Sequence, residues 1–142
     1  MKFTFIANAC GIFTLSNGTR LLIDPWLDDG VFEGSWCHYP PVKTNHHDLQ
    51  DIDAIYLSHI HPDHYDERFF DYPKNIPIFI LKSKYNFLSR NLAKQAYKNV
   101  VELESGITHT FREANLTIFR PFSSHVFHEC EVGNLIDSAL VV

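Results

Sequence analysis

Paired cysteines are missing from this chain. Its three, Cys10, Cys37 and Cys130, are odd in number, widely spaced and free of any Cys-x-x-Cys spacing. That pattern excludes a disulfide framework and offers nothing to hold an iron–sulfur cluster, so the three read as ordinary buried thiols. It also favours a reducing compartment, and the expected location is the cytoplasm. Also absent is any run of the roughly 18 apolar residues that a membrane helix needs. The opening Met1-Lys2-Phe3-Thr4-Phe5-Ile6 has one basic residue and then alternates, which reads as a strand rather than a signal peptide. Positive charge is scarce: 12 Lys and Arg stand against 17 Asp and Glu, for a net charge of −5. This argues against general binding to nucleic acid or to an anionic membrane, although a bound metal would let one local site attract an anion. There is no internal repeat, charge run or low-complexity segment.

What is present is a globular composition: 142 residues, 45% hydrophobic and 20% charged. This is enough for one domain with a sizeable core and too little for two. Twelve Phe, six Tyr and two Trp supply an aromatic core or pocket. The first part reads as β-structure, with strands over 2–7, 11–15 and 19–24 and a hairpin turn at Asn17-Gly18. Pro25 stops the third strand. From Trp26 to about Asp51 no periodicity holds, and a loop this long usually builds a wall or lid of a site. Strands follow over 54–58 and 76–81. Apolar Tyr85, Leu88, Leu92 and Ala96 recur at helical spacing, predicting one amphipathic helix over about 83–98. Four more strands are expected near 100–102, 109–112, 116–122 and 138–142. The order suggests an α/β layer structure, rich in sheet, with helices outside.

The chemistry sits at Ser58-His59-Ile60-His61-Pro62-Asp63-His64, where three histidines and a carboxylate fall within six residues directly after a strand. Imidazole and carboxylate are natural ligands for zinc and similar divalent ions. After a strand end, His59 and His61 can point to one side while Asp63 and His64 curl back from the next turn. That arrangement offers two ligands to one metal and two to a second. A histidine-rich polar loop is the plain alternative, but four ligand-type side chains at this spacing are rare by chance.

These residues resemble the signature of the metallo-β-lactamase superfamily, and Leu22-Ile23-Asp24-Pro25-Trp26 resembles its upstream aspartate motif. The likeness covers nearly the whole chain. Within the superfamily it is greatest to the branch with L-ascorbate-6-phosphate lactonase and the corresponding part of CMP-N-acetylneuraminate hydroxylase. The resemblance implies the N-terminal half of an αββα sandwich, with Asp24 buttressing the metal loop rather than binding metal. It implies a first metal on His59, His61 and a third histidine, for which His125 fits better than His128. It implies a second metal on Asp63 and His64, with Asp137 bridging both ions. Two divalent ions are expected, zinc first and manganese or iron as alternatives, with Asp63 also orienting the nucleophile.

The expected activity is that of a metal-dependent hydrolase acting on a small-molecule ester, lactone or phosphodiester. The alternative is a hydroxylase-like protein or a binding module stabilised by metal. The specificity of the motif for fold exceeds its specificity for substrate. His46 and His47 are expected to be solvated, and Asp66 and Glu67 read as helix-start acids. Trp26, Phe32, Trp36 and Tyr39 are core anchors for the long loop or walls of a pocket. The domain, residues 1–142, is expected to be truncated at its C-terminal end, since the resemblance assigns a final histidine ligand to the second half. An uncovered sheet face and a flat apolar edge at Ser138–Val142 would then favour a homo-oligomer or a missing C-terminal half as partner.

Overall fold

The structure is a computed structural model, describing residues 1–120 and 138–142. Six strands form the main sheet in sequence order: β1 (Lys2–Ala7), β2 (Cys10–Thr14), β3 (Arg20–Ile23), β4 (Ala54–Tyr56), β5 (Ile78–Leu81) and β6 (Val100–Leu103). The first three pair as antiparallel hairpins, and the second hairpin turns at Asn17-Gly18, where Gly18 takes φ +87° and the Asn17 side chain accepts from Thr19 N–H. From β3 to β6 the pairing is parallel. A second sheet has the order β7 (Thr108–Phe111), β8 (Ala114–Phe119), β9 (Ala139–Val141), all antiparallel.

Alternation along the parallel strands β3, β4 and β5 sends apolar side chains to both faces of the sheet, and both are buried there. Leu22, Ile55, Leu57, Ile78 and Ile80 point to one side, where they pack with Leu88, Leu92, Tyr72 and Tyr97. Leu21, Tyr56, Phe79 and Leu81 point to the other and meet Leu116 and Ile118 of β8. Parallel strands covered on both faces read as nearly continuous apolar runs, as these do. The second sheet therefore covers part of the face that was expected to stand bare. Its strand β9 is pinned at its start, where the Tyr56 hydroxyl lies 2.7 Å from both Ser138 O and Ser138 Oγ, and Ser138 Oγ donates to Ser58 O at 2.9 Å.

The helix is shorter than its periodicity suggests, running Phe87–Lys94. Asn86 caps it by accepting from Ser89 N–H, and Tyr85 lies outside the helix and exposed. At the other end Ala96 turns left-handed (φ +66°) and Tyr97 N–H returns to Leu92 O, a closure that stops the helix whatever the periodicity beyond it. Nor is the segment 26–51 structureless. It contains a helical turn at Val31–Gly34, with Phe32 and Glu33 in left-handed backbone, and a 3-10 turn at His46–Leu49 closed by an Asn45–Asp48 capping box. His46 is not solvated: its Nδ1 lies 2.8 Å from Tyr72 Oη and its Nε2 2.8 Å from Asp28 Oδ2, tying the loop to the core. His47 is exposed, as expected. Cys10 is buried, but Cys37 is exposed, because it rides on the rim of this loop.

Tyr56→Phe removes only the hydroxyl that holds Ser138. Because both partners stay buried, the variant is expected to lose about 1–2 kcal/mol in urea unfolding. An unchanged midpoint would mean that this joint between the sheets carries no load.

Candidate metal centre

The parallel strands β3 and β4 run the same way, so the residues that leave their carboxyl ends emerge side by side. Ligand sites in open parallel sheets form at such edges. Asp24 leaves β3 in left-handed backbone (φ +39°), a conformation costing a non-glycine residue about 1–2 kcal/mol. Its N–H donates to Tyr56 O at 3.1 Å, and its carbonyl accepts from Trp26 N–H at 2.8 Å. Strain of this kind persists where the surroundings fix it, and here the side chain does so. Asp24 Oδ1 accepts from Ser58 N–H at 2.8 Å, and Oδ2 lies 3.0 Å from His64 Nδ1. The carboxylate is thus buried between the first and last residues of the histidine segment.

Ser58 is the residue that motif reading passed over. Its Oγ lies 3.0 Å from His59 Nδ1 and 3.1 Å from His64 Nδ1, so one hydroxyl and one carboxylate orient two imidazoles. Its place directly before the first histidine was the one available signal. A turn then brings the rest together: His64 N–H and Tyr65 N–H both donate to His61 O, at 3.0 and 2.9 Å. His59 Nε2 and His61 Nδ1 end up 2.9 Å apart, and Asp63 Oδ2 lies 3.6 Å from His64 Nε2. Burial is graded, from His59 at 5% exposure, through half-buried Asp63 and His64, to exposed His61.

Two nitrogens bound to one tetrahedral zinc stand about 3.3 Å apart, given bonds of about 2.0–2.1 Å. The two facing pairs bracket that separation, and an imidazole with Nδ1 held by a carboxylate has the partner that metal-bound histidines ordinarily have. Imidazole and carboxylate side chains facing one another in this way are donors of the kind that suits a divalent ion. Among the described residues no three His, Cys, Asp or Glu side chains converge as a finished cage. His125, its rival His128, and Asp137 lie outside the described residues. Ser138, next in sequence to Asp137, bonds to Ser58, next to His59.

Cys10 lies under the same edge. Burial, with the Asp24 charge adding to it, pushes its thiol up to about 12. Beside the loop lies a hollow of about 500 Å³ whose lining includes Ile60, Pro62, Tyr65, Phe32 and Arg68. Asp66 does not start a helix; with Arg68 it forms a two-pronged ion pair, and Arg68 also donates to Gly30 O, which ties the aromatic loop to the wall of this hollow. Of the four loop aromatics, Trp26 is a core anchor, buried and stacked on His38 at 3.9 Å between ring centres. Phe32 lines the hollow, whereas Trp36 and Tyr39 line a second groove beside β1. His38 Nδ1 is held by Asp29, and its Nε2 is buried without a hydrogen-bond partner among the described residues.

Residues 19–132 match the family described as the beta-lactamase superfamily domain. A protein of Mycolicibacterium smegmatis, provisionally named a Rieske 2Fe-2S iron-sulfur protein, is 31% identical over 113 residues, which are 78% of this chain and 21% of that one. The cytidine monophosphate-N-acetylneuraminic acid hydroxylase of Danio rerio is 38% identical over 66 residues, 45% of this chain and 11% of the hydroxylase. The chain thus spans a small part of the length of these curated relatives. Among solved structures, the isothiocyanate hydrolase from Delia radicum gut bacteria superposes with a TM-score of 0.66 at 24% identity, covering 99% of this chain and 56% of that one. The match over residues 19–132, the shared fold and the histidine loop at the carboxyl edge agree: this chain belongs to the metallo-β-lactamase superfamily.

Proposed function

We propose that this domain serves a metal-dependent hydrolase acting on a small-molecule ester, lactone or phosphodiester. The observation that carries the reading is the Asp24 carboxylate fastened to both ends of a loop whose remaining donors face one another in pairs. Such orientation before binding is needed by a site that uses metal and is unnecessary in a solvated loop. We assign His59 and His61 to a first ion and Asp63 and His64 to a second. His125 is proposed as a further ligand of the first ion and Asp137 as the bridge between them. Zinc is the first choice from the imidazole-rich set, with manganese or iron as alternatives.

When bound, such ions supply Lewis acidity and make a nearby water acidic enough to be a nucleophile near neutral pH. The chain's own residues do the positioning. Asp24 and Ser58 hold Nδ1 of His64, which turns its Nε2 edge towards Asp63. Asp63, half-buried beside it, would orient the attacking water. The hollow beside Ile60 and Pro62 receives the substrate, with Phe32 and Tyr65 as apolar walls. The protein is assigned to the cytoplasm on its cysteine usage, with no nucleic-acid or membrane partner; no helix among the described residues is long and apolar enough to cross a membrane.

A second reading is favoured by the relatives: a protein provisionally named as iron–sulfur and a hydroxylase each contain a stretch similar to this chain, so the domain would be the metal-binding part of a redox system. The electron carrier would then sit in another domain or partner, since this chain has no cysteine spacing for a cluster.

Metal analysis of protein purified without chelator is expected to find a transition metal, and His61→Ala to lower its content. Absence of metal from the longest natural form of the protein would refute both readings. Turnover of lactones, phosphodiesters or thioesters without an electron donor would eliminate the redox version. Asp24→Asn is expected to weaken zinc binding by about 10–100-fold and to change the proton distribution of His64 seen by nitrogen NMR. Weakened binding with an unaltered His64 would assign Asp24 a merely structural role.

A further inference from the structure

Burial over residues 138–142 peaks at a polar side chain. Ser138 is 7% exposed, whereas Ala139 and Val141 of β9 stand exposed and Leu140 is half-buried. A strand start that needed only packing would carry an apolar residue, since a buried hydroxyl is costly unless its hydrogen bonds are made. Those of Ser138 are made, and their direction follows from the last acceptor. Ser58 O can only accept, so the Ser138 hydroxyl hydrogen goes there, at 2.9 Å. The Tyr56 hydroxyl hydrogen is then left to serve Ser138 O and Ser138 Oγ, each 2.7 Å away. Hydrogen bonds in series polarise one another, so the donation from Tyr56 strengthens the one that Ser138 makes.

The accepting oxygen belongs to the peptide unit that leads into His59. A peptide is planar, so Ser58 O, the His59 N–H and the His59 Cα move as one piece. The preceding peptide unit is held from the other side, where Ser58 N–H donates to Asp24 Oδ1 at 2.8 Å. The two planes that meet at Ser58 are thus fixed by different elements, one by the end of β3 and one by the start of β9. With the backbone set, Ser58 Oγ lies 3.0 Å from His59 Nδ1 and orients the ring. Asp24 acts on the near side of Ser58 and on His64; Ser138 acts on the side that carries His59.

We propose that Ser138 is a positioning residue for His59, acting through the Ser58 carbonyl, with Tyr56 directing its hydroxyl. The inference rests on the reading of the histidine loop as a metal centre, and it gives β9 a part in the site separate from the role proposed for Asp137. Binding constellations must be held to within about 0.5 Å and 10–20° to work. Hydrogen-bond partners directly behind a ligand change metal affinity by about 10–100-fold, and Ser138, one step further back, belongs at the low end of that range.

Zinc titration of the metal-free protein, in its longest natural form, is expected to show a dissociation constant raised about tenfold by Ser138→Ala. Ser138→Thr keeps the hydroxyl and is expected to restore most of the affinity. Tyr56→Phe leaves the Ser138 hydroxyl in place and is expected to raise the constant by less than Ser138→Ala does. Before zinc is added, the imidazole nitrogen signals of His59 are expected to move in Ser138→Ala and to return in Ser138→Thr. Zinc binding by the parent with unchanged affinity in Ser138→Ala would overturn this inference and leave the metal centre standing. Weaker binding with unmoved His59 signals would also overturn it, by placing the effect at Asp137. A parent that binds no zinc or other divalent transition metal would refute the metal centre and this inference together.

Discussion

A buried carboxylate with two engagements holds this domain's edge together. Asp24 accepts from Ser58 N–H and faces His64 Nδ1, so one side chain spans the start and finish of the histidine loop. Burying a charged group is costly unless its hydrogen bonds are made, and here the partners are a backbone amide and an imidazole. The left-handed backbone at Asp24 adds a further cost. A protein that needed only a strand end would have little reason to keep such a group under strain. One that must present imidazoles in fixed orientation has a reason, and the rest of the edge is arranged around it.

The two sheets converge on the same point from opposite sides. Tyr56, at the end of β4, reaches across to Ser138, and Ser138 returns to Ser58 O. The carboxyl edge of the first sheet and the beginning of β9 are therefore one hydrogen-bonded unit. Movement of β9 would be felt at the residue before His59, and a ligand gathered at the histidine loop would tighten the junction of the sheets. This coupling links stability to the site through hydroxyl groups rather than through apolar contact.

Much of this was readable from residues alone. The apolar alternation of Leu21–Ile23 and Ala54–Tyr56 gave strands, and the turn Asn17-Gly18 gave their hairpin. The spacing His59, His61, Asp63, His64 marked the candidate metal loop because ligand type and position carry the information locally. Asp24 as the buttress of that loop came from family resemblance; the structure shows its two contacts with the loop's ends. What stayed hidden depends on partners far apart in sequence. Nothing near His46 announces Tyr72 and Asp28, 26 and 18 residues away, which turn an apparently solvated histidine into a tether. The helix looked longer because periodicity cannot see the left-handed closure at Ala96. Ser58 looked like filler because a lone hydroxyl has no pattern.

The most direct test of the central claim is anomalous diffraction at the zinc edge, on crystals of the protein grown with zinc. The account predicts a peak between His59 Nε2 and His61 Nδ1, with Asp24 still bound to Ser58 N–H and His64 Nδ1. A map without a peak there, with the two histidine rings still in mutual contact, would contradict it.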